Sequence, residues 1–246
     1  MIKRPKLIYL NILVPLILFV AINFSATSMI QQENHQPVVK IINPKNNSTF
    51  DWDTQVNYEI SVADIEDGDT KYDELNAKEV LLEVRYIANK AKVQSFISKG
   101  IQNDPQGLAV LRTSNCFNCH NFSSKAIGPS FSEIVAKYPA TAANIDQMVK
   151  HIREGSTGIW GKETMPTHPE LSVEEARSTV QWIFKNAKDA NVSYYVGTTG
   201  TFHTKLPVAA GKKGLYILTA SYIDHGLKNA TVKHLKGQDA VVLNGK

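Results

Sequence analysis

Apolar and polar positions change rhythm several times along the chain. Leu7 to Phe24 is one apolar run of 18 residues, broken only by Asn11, Pro15 and Asn23. Residues 31–37 are polar and end in Pro37, which reads as a linker. Val38 to Ile42 is rich in β-branched residues and stops at Asn43-Pro44. Val56, Tyr58, Ile60 and Val62 recur at every second position, as do Val80, Leu82, Val84 and Tyr86. A period of two buries one face of an extended segment, so these are half-buried strands. About four strands are visible between residues 36 and 98, fewer than the roughly seven of a full immunoglobulin-type sandwich. Either some strands escape the pattern or another segment completes the sheet.

From about Asp104 the period becomes helical. Leu108, Val110 and Leu111 precede a cysteine-rich turn, and Ser130 to Tyr138 and Ala143 to Glu154 read as further helices. Ser172-Val173-Glu174-Glu175 is a capping box that starts another. That helix runs to about Lys188, with Val173, Ala176, Val180, Ile183 and Phe184 along one face. After residue 190 the β pattern returns in Gly200 to Leu206, Gly214 to Tyr222 and Asp239 to Leu243. The chain therefore reads as multidomain. Residues 1–28 are a leader, 36–98 an immunoglobulin-like β module, 99–190 an all-α domain and 191–246 a C-terminal β module.

Charge refines this picture at the two ends. The 246 residues carry a net charge of +4, distributed as −4 over 36–98, +1 over 99–190 and +5 over 191–246. No stretch is basic enough for nucleic acid. Lys3, Arg4 and Lys6 precede the apolar run, and Ser25, Ala26, Thr27 and Ser28 follow it. This is the layout of a secretory signal with cleavage near Ser28, and the run is also close to the ~20 residues that span a bilayer. In both cases residues 30–246 are exported, either soluble or anchored to the membrane.

Both cysteines of the chain fall in Cys116-Phe117-Asn118-Cys119-His120, the attachment pattern of c-type haem. On a short helical turn, residues three and four apart share a side. Two thiols can then add to the two vinyl groups of one porphyrin while His120 reaches its iron. A thioredoxin-type dithiol would need a βα context. A zinc site would need four ligands, and a structural disulfide leaves His120 unexplained. The other axial position falls among Met29, Met148, Met165 and the histidines. Met148 sits in an amphipathic helix and reads as packing. Met165 follows a loop containing Gly158 and Gly161 and precedes Pro166, and methionine opposite histidine is a standard cytochrome pairing. The expected iron ligands are His120 and Met165.

Residues 104–188 resemble the class I c-type cytochromes, in particular the small bacterial kind. The resemblance rests on Gly107, Leu108, the Cys116–His120 motif, Gly128-Pro129, Trp160-Gly161, Met165-Pro166 and Trp182-Ile183. It implies one covalently bound haem c in a periplasmic electron carrier, not an enzyme. It also implies that the Pro129 carbonyl holds the outer nitrogen of His120, that Trp160 lies near a haem propionate, and that Leu108 packs against Trp182. Ser61 to Asp69 resembles a loop of polycystic-kidney-disease-type β modules, and Thr219 to Gly226 resembles a short module that follows such cytochromes. That order resembles the end of multidomain sugar dehydrogenase–cytochrome proteins. It implies a quinoprotein dehydrogenase as donor and a respiratory oxidase or other acceptor as redox partners.

Asp64, Asp67, Asp69, Asp73 and Glu74 cluster within eleven residues. Such a loop could give calcium three or four of its six to eight oxygens, or stand as a solvated acidic turn, the reading favoured here. His203, His225 and His234 fit no metal spacing and read as surface residues. Two other function classes remain open. One is a carbohydrate-binding or adhesive protein with an auxiliary haem domain. The other is a haem-based redox enzyme or sensor in which Met165 is labile.

Overall fold

The computed structural model describes residues 33–205 and 214–246. The leader, its cleavage region and Met29 lie outside the described residues, as does Leu206. Among the described residues, no helix is long and apolar enough to cross a membrane.

Nine strands among the described residues form two sheets. In the first, β3 (Gln55–Asp64) is central. It pairs antiparallel with β1 (Val38–Asn43) on one edge. The other edge takes β4 (Gly68–Asp69) and β7 (Thr199–His203). In the second sheet the order is β2 (Thr49–Phe50), β9 (Lys236–Gly245), β8 (Leu215–Ile223), β5 (Leu81–Ile87) and β6 (Val192–Val196). Its pairs are antiparallel except β2 with β9. The alternation seen in the sequence places Val39, Ile41, Tyr58, Ile60 and Val62 of the first sheet against Leu82, Val84, Leu218, Ala220, Tyr222 and Leu243 of the second. This is the sandwich core.

Two β modules are therefore not what the chain builds. Among the described residues β5 pairs with β6 and β8, β2 with β9, and β3 with β7 as well as with β1 and β4, so three of the strands before residue 98 find partners after residue 191. Neither flank alone could satisfy its backbone N–H and C=O groups. Together they make one sandwich, with the helical domain inserted between the neighbouring strands β5 and β6. The two ends of the insertion meet where Arg85 pairs with Val192 and the Tyr86 N–H donates to the Asn191 carbonyl at 2.7 Å. The expected linker also docks. Pro37 is buried, and the Asn34 side chain donates to Asp224 Oδ2 at 2.7 Å.

The second sheet is covered on both faces, which explains the unbroken apolar run Leu215-Tyr216-Ile217-Leu218. Leu81, Val192 and Tyr194 join the helical core with Leu108, Leu111, Phe117, Phe122 and Trp182. Ile87, Leu215, Ile217 and Val242 meet Val93 of α1 (Val93–Ile97) in a separate cluster. The helical domain consists of α2 (Gln106–Thr113), α3 (Phe131–Lys137), α4 (Ala142–Glu154) and α5 (Val173–Asn186). Ser172 and Glu175 form the expected capping box, and Ser130 with Glu133 forms a second at α3. α2 crosses α5 at Gly107, where a Cβ would lie 2.3 Å from the Ser178 carbonyl oxygen and 2.6 Å from Trp182 Cβ.

A buried ionic cluster joins insertion and sandwich. Arg112 of α2 pairs with Asp104 at 2.9 Å, with side chains only 7% and 5% exposed. Arg112 also donates to Ser221 Oγ of β8, to the Ser221 carbonyl and to the Glu79 carbonyl. Lys236 of β9 is a second cation on Asp104, so the carboxylate is shared between the insertion and the sandwich.

Candidate functional site

Cys116, Phe117 and Asn118 form a single 3-10 turn after Asn115, whose φ of 57° turns the chain out of α2. The amides of Cys119 and His120 donate to the Cys116 carbonyl at 3.2 and 3.0 Å. This winding sends Cys116, Cys119 and His120 into one cleft. Phe117 is buried in the helical core, packed edge-on against Phe131 with ring centroids 5.8 Å apart. The cysteines are free thiols, and burial pushes Cys116 up to about 11, so it stays protonated at neutral pH.

His120 is fixed on three sides. Its Nδ1 lies 2.7 Å from the Pro129 carbonyl oxygen, and its ring stacks on Phe131 at 5.6 Å with an interplanar angle of 13°. Gly128 lies against it, with no side chain to intrude. Burial lowers its pKa and the Pro129 contact raises it, with a net lowering. The imidazole is therefore neutral at pH 7, with Nδ1–H donating to Pro129 and Nε2 free of hydrogen-bond partners among the described residues. That is the state a metal ligand needs.

Met165 reaches the same cleft from the opposite segment. Its backbone forms a two-bond bridge with Ser156, Met165 N–H to the Ser156 carbonyl at 2.8 Å and the reverse at 3.2 Å. Gly155, with φ of 79°, ends α4 at this bridge, and a Cβ there would lie 2.8 Å from the Met165 carbonyl oxygen. Thr157 and Thr164 join across the loop at 3.2 Å. Trp160 also lines the cleft. Its ring meets Tyr138 edge-on at 6.4 Å and carries Lys137 Nζ 4.4 Å above it.

Leu111, Ile134, Ile152, Val180 and Ile183 are among the cleft's apolar walls. Met148 was expected in the helix core. It packs there, but it also lines the cleft, because α4 presents one face to both. His151, one turn further along α4, lines the cleft too and was not singled out by the sequence. Burial, with the charge of Lys150, lowers its pKa. The i, i+3 spacing of Met148 and His151 on α4 is the signal that could have marked them.

The acidic loop is structural. Asp64 Oδ1 accepts the amides of Glu66 and Asp67, and Asp69 Oδ1 accepts that of Lys71. Glu74 accepts the amide of Asp69. Asp67 Oδ2 accepts the Tyr222 hydroxyl and the His225 amide, which ties the loop to β8. Among the described residues, no three His, Cys, Asp or Glu side chains converge as a metal site. The turn is thus neither a cage nor a loosely solvated run. The three histidines are more engaged than surface residues need be. His225 lies 2.9 Å from Glu79, His234 Nδ1 3.0 Å from the Asp224 carbonyl, and His203 3.6 Å from Asp53.

A free thiol pair, a neutral imidazole and a thioether around one apolar cleft suit haem c in their donor chemistry. The family comparison agrees. The cytochrome c family model matches residues 106–186. The cytochrome c-551 of Azotobacter vinelandii is 38% identical over 77 residues, spanning 31% of this chain and 93% of the relative. The cytochrome c-551 of Stutzerimonas stutzeri is 34% identical over 77 residues, 31% of this chain and 73% of the relative. The cytochrome c-552 of Nitrosomonas europaea is 32% identical over 72 residues, 29% and 70%. The chain belongs to the cytochrome c family, and with that membership go covalently bound haem c and electron transfer. What sets it apart from these relatives is the sandwich into which the cytochrome is inserted.

Proposed function

We propose that this chain is an exported monohaem carrier of single electrons, with Cys116 and Cys119 holding the haem by thioether bonds and His120 and Met165 as the iron's axial ligands. The observation that carries this reading is the convergence of all four side chains on one cleft, with His120 Nδ1 tied to Pro129. Bound there, the haem supplies an iron that alternates between ferric and ferrous forms by one electron.

The protein's own contribution is preorganisation. The Pro129 carbonyl, the Phe131 ring and the bare Gly128 hold the imidazole at one angle and in one tautomer. The Ser156–Met165 bridge fixes the thioether's backbone. The apolar walls exclude water, and the soft uncharged sulfur favours the ferrous state and a high potential. If His120 and Met165 both hold the iron, they would leave it no place for a substrate, which favours a carrier over an enzyme or gas sensor. Trp160 with Lys137 places a ring N–H and a cation beside the cleft, suited to a haem propionate.

On the resemblance of the flanking segments, the donor is a quinoprotein sugar dehydrogenase and the acceptor a respiratory oxidase. The leader's pattern supports export to the periplasm, with anchoring if it is retained. The test is direct. Cys116→Ala with Cys119→Ala should abolish haem-stained mass on a denaturing gel; covalent haem in that double variant would refute the attachment.

A further inference from the structure

A second cavity lies outside the cleft, where the edge of the sandwich faces the loop after His120. It is an open groove, built by β3, β6 and β7 on one side and by Phe117 and residues 121–124 on the other. Three features define its chemistry. First, no Asp, Glu, Lys or Arg lines it. Second, its rim is a row of neutral hydrogen-bonding side chains, with Gln55, Ser123, Ser124, Thr199 and Thr201 all exposed. Third, aromatic rings line it further in. Tyr58 and Tyr195 stand with centroids 6.2 Å apart, and Phe122 and Tyr194 5.0 Å apart.

One polar group there has no task inside the protein. Tyr58 is 4% exposed, yet its hydroxyl makes no hydrogen bond to any described residue. Room for it is kept by Gly200, where a Cβ would lie 2.7 Å from the Tyr58 oxygen. Burial pushes Tyr58 up to about 12, so the group stays a phenol and a donor. The hydroxyl is left by the protein to water at the groove wall, where a ligand hydroxyl can take that water's place.

We propose that this groove binds a neutral polyhydroxylated ligand, a sugar unit of an oligosaccharide, seated between the sandwich edge and the loop that follows the haem motif. The lining holds no Lys or Arg, and its one histidine, His203, already faces Asp53 at 3.6 Å, so a phosphate or carboxylate ligand finds little there to attract it. A purely apolar ligand would waste the Tyr58 hydroxyl and cover the hydroxyl rim without replacing its water. A pyranose offers what the lining asks for: hydroxyls around its edge for Tyr58, Thr201 and Ser123, and an apolar C–H face for Tyr195, the aromatic residue of the lining that is not buried. Sites at the junction of two lobes, with a few placed polar groups, are the common setting for small-ligand binding. The inference does not rest on the haem reading, and either can fail alone.

The experiment is calorimetric titration of the holo-protein with cellohexaose, xylohexaose, mannohexaose and chitohexaose. At least one should bind saturably, with Kd below about 10 mM. Tyr58→Phe should weaken that binding about five- to tenfold, as expected for one hydrogen bond. Ser123→Trp, an exposed rim position, should block it by filling the groove. Both variants should keep the visible spectrum of the haem lobe and the far-ultraviolet β signal of the sandwich, which together show that they fold. Absence of binding by all four sugars would overturn the proposal. So would an affinity unchanged in both variants, or a groove that binds methylhydroquinone in preference to every sugar.

Discussion

A methyl group added at Gly128 would lie 2.5 Å from His120 Cε1 and 2.9 Å from Nδ1. Gly128→Ala should therefore push the ring off the Pro129 carbonyl, costing about 1–3 kcal/mol of stability and weakening the low-spin spectrum of the holo-protein. The two thioethers in the cleft make opposite predictions. Met165→Ala should lower the reduction potential on the order of 100 mV or more, within the range that axial ligands control, and should let carbon monoxide or azide bind. Met148→Leu should leave the sulfur-to-iron band in place and cost less than ~1.5 kcal/mol. If the band is lost in Met148→Leu and kept in Met165→Ala, the ligand is Met148. The cysteine pair, His120 and Met165 were legible because their chemistry is carried by residue type and spacing. Gly128, His151 and the cleft face of Met148 were not, since each depends on what another segment brings against it. His225 gives a pH dependence. Burial works to lower its pKa, but Glu79 and the negative charge of Asp67 outweigh this and raise it. The stability it contributes is complete below its ordinary value of 6.5 and is lost as pH rises through the raised value. Thermal melts from pH 6 to pH 8 should show that decline, and His225→Gln should flatten it.

Helix ends and the contact between insertion and sandwich are decided by whole elements. Ser172→Ala removes the acceptor for the Glu175 amide and should cost about 1 kcal/mol. The Arg112–Asp104 pair is a larger matter, because both side chains are out of water. Asp104→Ala leaves Arg112 buried without its counter-ion and should cost roughly 3–5 kcal/mol, measured by denaturant unfolding. The period-two pattern located β3 and β5 to within two residues, β-branched composition located β1, and the helical pattern located α2 to α5; α1 and β6 were not singled out. The two-residue strands β2 and β4 were invisible, being too short to carry a period. β8 showed no alternation because both its faces are covered. The larger miss was the pairing of β5 with β6 and β8. Strand patterns show that a face is buried, but not which strand lies beside it. A partner more than a hundred residues away leaves no local mark.

At the scale of the molecule, the two lobes share a core. Leu81, Val192 and Tyr194 belong to the sandwich's second sheet and pack among the helices. Haem bound to the helical lobe should therefore stabilise strands it never touches. Haem-free chain, from the Cys116→Ala, Cys119→Ala double variant, should melt at lower temperature when followed by the β signal alone. Equal sandwich melting in both forms would show that the shared core does not couple them. Fragment 36–98 expressed alone should fail to fold, since β2 and β5 would lack their partners.

The insertion between β5 and β6 also sets an order of events in folding. As an unstructured segment, residues 88–191 are a loop of 104 residues between two strands that must pair. Closing a loop that long costs about 3 kcal/mol more than closing a hairpin of four residues. A folded insertion removes most of that difference, because its two ends already lie side by side. The cytochrome lobe is then the clamp that brings β6 to β5, and its folding should precede that pairing in time. Refolding followed by β signal should be slower for the haem-free chain than for the holo-protein.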